Sequence, residues 1–186
     1  MLSHLSMWIL KALGWRAHAD FPDSKKYVVV AAPHTSNWDF PLGILAAKAL
    51  KMDVHWIGKH QLFRWPFGWF FRAIGGTPAY RSHNTDMIKQ IADVFMQKDE
   101  LAMAIAPEGT RSKTDHWKTG FWHIAKAANV PIALAYLDFG KKQIGLGGSF
   151  YPSDDIEQDF ERIREFYKHR RGKYPANESL IQLVRK

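Results

Sequence analysis

At 186 residues, 46% hydrophobic and 24% charged, the chain has the length and composition of one globular domain with a substantial core. The absence of cysteine excludes disulfides, a thiol nucleophile and thiolate metal sites, and it fits a reducing compartment. A net charge of +8 and eight tryptophans call for an anionic or amphipathic partner: lipid headgroups, a phosphorylated substrate or nucleic acid.

Residues 2–15 read as an amphipathic helix, with Leu2, Leu5, Ile9 and Leu13 on one face and Trp8 and Trp15 near it. This is shorter than the ~20 residues a bilayer span needs. The helix is expected either to lie in a membrane interface or to dock on the core. A polar connector completes residues 1–20, and residues 21–186 are expected as a single domain.

Val28-Val29-Val30-Ala31-Ala32 is a continuous, partly β-branched apolar run and reads as a buried strand. Pro33 ends it, which places His34 just past its carboxyl end, where open α/β sheets form their ligand crevices. Ser36 or Asn37 can cap the helix that follows, with Asp39 in its first turn. Such a turn can fold the Asp39 carboxylate back onto one His34 ring nitrogen and leave the other for substrate, the minimum for general-base catalysis. Ser36-x-x-Asp39 is also a capping-box-like pattern, so Asp39 could serve the helix alone. The His-x4-Asp spacing is weak by itself, since His18 and Asp23 repeat it in the polar connector.

Residues 38–50 are predicted helical and 54–57 a short strand. The stretch from Gly58 to Gly76 then carries Phe63, Trp65, Phe67, Trp69, Phe70 and Phe71 among arginines. It is either a core helix begun by Pro66 and stopped by the glycine pair, or an acyl-chain or membrane-contact surface with Arg64 and Arg72 at headgroup level. A strand over 77–81 follows, then a helix over 85–98 capped by Asn84, with Ile88, Ile91, Val94 and Phe95 as its buried stripe. Residues 101–106 form the next buried strand, ended by Pro107 and followed by Glu108-Gly109-Thr110-Arg111-Ser112. A helix over 120–129, strands at 131–137 and 142–146, a helix over 154–171 and a short helix from Pro175 complete the chain. The alternation implies an α/β fold: one domain with a mostly parallel central sheet flanked by helices.

Two strand ends thus carry chemistry. Gly109 lets backbone approach a ligand closely, and Arg111 offers a fork for phosphate. The same turn could instead be closed by a Glu108–Arg111 ion pair. Lys59 and Arg81 add cations near other predicted strand ends. Nucleic acid is the weaker partner, because the Trp and Phe residues cluster with Leu and Ile and the positive charge is dispersed among acids.

Together these residues resemble the glycerolipid acyltransferase family, typified by lysophosphatidic acid acyltransferase. Its H-x4-D motif matches His34 and Asp39. Its second motif matches Gly58-Lys59, Leu62, Pro66-Phe67-Gly68, Gly75-Gly76 and Arg81. Its F-P-E-G-T-R-S motif matches Pro107 to Ser112, with Ala106 in place of Phe. Its V-P-I motif matches Val130-Pro131-Ile132, followed here by Ala133-Leu134 and no second proline.

The resemblance implies transfer of a fatty acyl group from acyl-CoA or acyl-carrier protein, as co-substrate, to a lysolipid or glycerol-phosphate-type acceptor, with no metal or other cofactor. His34 would be the base and Asp39 its partner. Glu108, Gly109, Thr110 and Arg111 would belong to the acceptor-binding motif, with Lys59 and Arg81 supporting a phosphate. The departures at Ala106 and Ala133-Leu134 leave a non-phosphate or amine-bearing lipid acceptor open, and a non-catalytic membrane lipid-binding module is the rival reading. The expected location is cytoplasmic, peripheral on the inner face of the membrane and in contact with its anionic surface.

Overall fold

The computed structural model describes residues 2–79 and 84–184. Helix α1 (Leu2–Ala12) leads into strands β1 (Arg16–Asp20) and β2 (Lys26–Ala32), followed by α2 (Asp39–Ala49) and β3 (Val54–Lys59). A single 3-10 turn at His60–Phe63 precedes α3 (Gly68–Ala73) and β4 (Gly76–Ala79). Then come α4 (Asn84–Gln97), β5 (Leu101–Ile105), α5 (Gly120–Ala128), β6 (Ile132–Asp138), β7 (Gln143–Phe150) and α6 (Ile156–Tyr167). The strands form one seven-stranded sheet in the order β1-β7-β6-β2-β5-β3-β4. Every neighbouring pair is parallel except β6 and β7.

Strand β2 lies between β6 and β5, and alternate residues feed opposite faces, which is why its apolar run is unbroken. Val28 and Val30 join Phe95 of α4, Phe121 and Ile124 of α5, and Phe160 and Ile163 of α6. Tyr27 and Val29 face the other way, with Ala102, Ala133 and Leu146. On that second side, Leu10 of α1 and Leu42 and Ala46 of α2 pack with Trp15, Leu137 and Ile144. The expected α/β domain is therefore present as a sheet covered on both faces.

Several local expectations change. Residues 16–20, expected within a connector, form the edge strand β1, half-buried at Ala17 and Ala19 and exposed at Arg16, His18 and Asp20. Its partner β7 is longer than residues 142–146, and the two approach closely at Gly145 (φ +153°), where a Cβ would stand 1.5 Å from the His18 carbonyl oxygen. Helix α6 is shorter than predicted. Asp155 caps it by accepting the N–H groups of Glu157 (2.9 Å) and Gln158 (3.3 Å). Arg170 and Arg171 lie beyond its end, with Arg170 stacked over Phe166 (3.6 Å) and Tyr136 (4.6 Å). Pro175 opens a 3-10 turn at Pro175–Asn177, and the rest of the tail runs on as an extended strap.

The two aromatic segments divide between inside and outside. In α1, Ser6 and Leu10 are buried while Leu2, Leu5 and Trp8 are exposed, so most of the apolar face named above is turned to solvent. After β3, Phe63 is buried against Trp56 and Phe71, whereas Trp65, at 94% exposure, Phe67 and Trp69 project outward. Phe40 of α2 meets Trp56 (4.8 Å between centroids) and Phe71 (6.4 Å), so the aromatic lobe rests on the helix that Asp39 opens.

Candidate active site

Strands β2 and β5 run side by side, with Val30 opposite Ile105, so the chain leaves both at the same level of the sheet. Each then meets a proline, which delivers His34 from one strand and Glu108 from its neighbour. Asp39 is the first residue of α2 and is buried. Its Oδ2 accepts two hydrogen bonds, from the Thr35 N–H (2.9 Å) and the Ser36 N–H (2.8 Å), and lies 3.0 Å from His34 Nδ1. Of the capping box only the carboxylate half forms, in which Asp39 accepts the Ser36 N–H, and the same carboxylate oxygen stands beside the imidazole. No cap hydrogen bond from a side chain is made at the N-cap, Trp38; Ser36 Oγ accepts the Trp38 N–H one step earlier (3.1 Å).

With Nδ1 facing Asp39, Nε2 is the ring nitrogen left open, and it has no partner among the described residues. The ring is partly exposed, with 29% of the side chain accessible. On the other side of the histidine's backbone, Glu108 Oε1 accepts the His34 N–H at 2.9 Å. Glu108 is only 2% exposed. Burial pushes its carboxyl up to about 7; the His34 N–H and ring oppose the shift, and the charges of Asp39 and Glu178 add to it.

Glu108 and Asp39 therefore hold the turn at His34 through its backbone N–H groups, with the imidazole beside the Asp39 carboxylate. Gly109 sits at φ +66° and donates its N–H to the Ala106 carbonyl (3.1 Å), the left-handed position that its turn requires. Thr110 Oγ1 accepts the Ser112 N–H (3.3 Å). Arg111 is exposed and has no ion-pair partner among the described residues. Glu108 and Arg111 do not pair; Glu108 turns inward to His34. Lys59 closes β3, which lies beside β5, so its backbone belongs to this end of the sheet. Arg81 lies outside the described residues.

Three contributors carried no signal in the sequence. Lys118 folds over the E-G-T-R turn, its Nζ 2.7 Å from where a Cβ on Gly109 would stand. Thr35 Oγ1 accepts the Tyr174 N–H (3.2 Å) from the far end of the chain. Trp117 lines a cavity with Glu108. A lysine in a polar loop and a backbone N–H in a tail look the same in a sequence whether or not they approach a site.

Residues 16–136 match the family model described as Acyltransferase. The chain belongs to the acyltransferase family. The matched span holds His34, Asp39, Lys59, Arg81 and Glu108 to Arg111, and it ends within β6. The acyltransferase also shares its fold with the crystal structure of PlsC, the 1-acyl-sn-glycerophosphate (LPA) acyltransferase of Thermotoga maritima. The TM-score is 0.58 at 18% identity, over 92% of this chain and 80% of that one. No curated protein sequence matches the acyltransferase.

Proposed function

We propose that the enzyme transfers a fatty acyl group from a thioester, acyl-CoA or acyl-carrier protein, to the hydroxyl of a phosphate-bearing lysolipid, as PlsC does for 1-acyl-sn-glycerophosphate by its description. The observation that carries this reading is the His34–Asp39 pair, with Nδ1 3.0 Å from a buried carboxylate and Nε2 without a partner among the described residues, at the ends of β2 and β5. The acceptor hydroxyl gives its proton to His34 Nε2 as its oxygen attacks the thioester carbonyl carbon. The imidazolium so formed is stabilised by Asp39. The tetrahedral intermediate collapses with cleavage of the carbon–sulfur bond, and the departing thiolate takes the proton back. A thioester is already activated, so no covalent enzyme intermediate is needed.

Arg111 is our candidate for the acceptor phosphate, with Lys59 and Arg81 in support. A lipid acceptor requires contact with a membrane, and none of the helices in the described residues is long and apolar enough to cross one. The exposed face of α1 and the Trp65–Trp69 surface, together with the net charge of +8, support peripheral docking on an anionic leaflet, on the cytoplasmic side.

The test is transfer of labelled acyl groups from each thioester donor to a panel of lysolipids with and without a phosphate monoester. The reading expects product with the phosphate-bearing acceptors and a large preference for them. Product only with uncharged or amine-bearing acceptors would move the assignment to those lipids, and no product with any acceptor would remove it.

A further inference from the structure

The family match ends at residue 136, yet the C-terminal strap reaches the catalytic turn directly at two places and approaches it at a third. First, the Tyr174 N–H donates to Thr35 Oγ1 (3.2 Å), and Thr35, itself buried, gives its own N–H to Asp39 (2.9 Å). Gly172 packs so tightly here that a Cβ would stand 2.6 Å from Thr35 Oγ1 and 2.8 Å from its methyl carbon. Second, the Lys173 ammonium lies 5.0 Å from the centroid of Trp38, the residue just before α2.

Third, Glu108 and Trp117 line one cavity of about 40 Å³ with Tyr167, Arg170 and the strap residues Glu178, Ser179 and Ile181. Glu108 Oε2 and Trp117 Nε1 are both buried polar atoms without a protein partner. A cavity of that size beside a buried acceptor and a buried donor has room for ordered water, which would accept from the indole and donate to the carboxyl. The strap is fixed on its outer side by bonds from the Leu180 N–H to the Thr114 carbonyl (3.1 Å) and from the Trp117 N–H to the Gln182 carbonyl (3.0 Å). Glu178 also accepts the Gly172 N–H (2.8 Å).

We propose that residues 172–182 are a brace that positions His34, acting directly on Thr35 and, through water held between Glu108 and Trp117, on the carboxyl that holds the His34 N–H. Thr35, Glu108, Trp117 and Gly172 are then positioning residues. The brace sits behind the turn that carries the base, so disturbing it misplaces Nε2 without altering either substrate's own contacts. The charged and titratable groups facing Glu108 are His34, Asp39, Glu178, Arg170 and the Tyr167 hydroxyl. The kinetic part of this inference rests on the acyl-transfer reading; the water site does not.

The full-length protein tests it with Gly172→Ala and Trp117→Phe, the second keeping an aromatic ring against Tyr167 while removing the N–H donor. Each is expected to lower kcat about tenfold or more with both KM values unchanged. Gly172→Ala combined with Thr35→Ala should be no worse than the poorer single variant, because both act through one contact. A high-resolution crystal structure is expected to show water within hydrogen-bond distance of Glu108 Oε2 and Trp117 Nε1. Variants that lose thermal stability but keep kcat would reduce the strap to ordinary packing. A selective rise in acceptor KM would make Glu108 part of the acceptor site, and a dry cavity would remove the water link. Each of these results overturns the proposal, whereas wild-type protein that transfers no acyl group overturns only the acyl-transfer reading.

Discussion

Asp39 separates two roles that different substitutions can resolve. Asp39→Asn keeps the side chain's shape and an oxygen for the backbone N–H groups, but removes the charge that stabilises the imidazolium. We expect an intact fold and a kcat reduced on the order of 10²-fold or more. Asp39→Ala additionally leaves the Thr35 and Ser36 N–H groups without their acceptor. It should therefore also destabilise the protein, by about 1–3 kcal/mol for each buried group left unpaired. Thermal unfolding and turnover measured side by side would distinguish the two effects.

Glu108 makes a prediction about stability and pH. In the unfolded chain its carboxyl ionises near 4.5, and in the folded protein burial holds it at about 7. Between those values the folded state keeps a proton that the unfolded state has lost, so this group's contribution to stability falls as pH rises from about 4.5 to about 7, then levels off. The total is on the order of 3 kcal/mol. Glu108→Gln, which cannot ionise, should flatten this slope in thermal unfolding across the pH window; an unchanged slope would place the carboxyl in a far more hydrated setting. For Arg111, alanine should raise acceptor KM with little change in donor KM, and lysine should rescue it poorly if a forked contact to phosphate is involved.

Among the elements, the geometry of the candidate site follows from the two central strands ending together. That much was legible: the β-branched run of β2, the Leu101–Ile105 strand and the proline after each mark where the chain turns. The inward turn of Glu108 was not legible, because an acidic residue beside an arginine suggests an ion pair until the neighbouring strand supplies a backbone N–H. Strand β1 was missed because an edge strand with Arg16, His18 and Asp20 outward buries only alanines, leaving no hydrophobic periodicity. The strap was missed for a similar reason. Its bonds run largely through backbone groups of Gly172, Tyr174, Leu180 and Gln182, to which side-chain patterns are blind.

Across the whole molecule, α1 and the aromatic lobe both rest on α2, so the exposed apolar surfaces proposed to meet a membrane are attached to the helix that Asp39 opens. Deleting α1 would uncover the core around Leu10, which is fully buried, so single exposed positions are the better probes. Trp8→Ser and Trp65→Ser, at 67% and 94% exposure, should leave the fold intact and each weaken binding to anionic vesicles severalfold. Binding by the unaltered protein should fall with salt. Undiminished vesicle binding in the double variant would place the membrane contact elsewhere.

Proton transfer from the acceptor hydroxyl to His34 Nε2 is the step on which the proposed function rests. It is tested most directly by comparing kcat for acyl transfer in the wild type and in a folded His34→Ala variant under saturating donor and acceptor. A positioned base contributes about 10²–10⁴-fold, so a loss of that size is expected, with the circular dichroism spectrum unchanged. Turnover within a few-fold of wild type would contradict it.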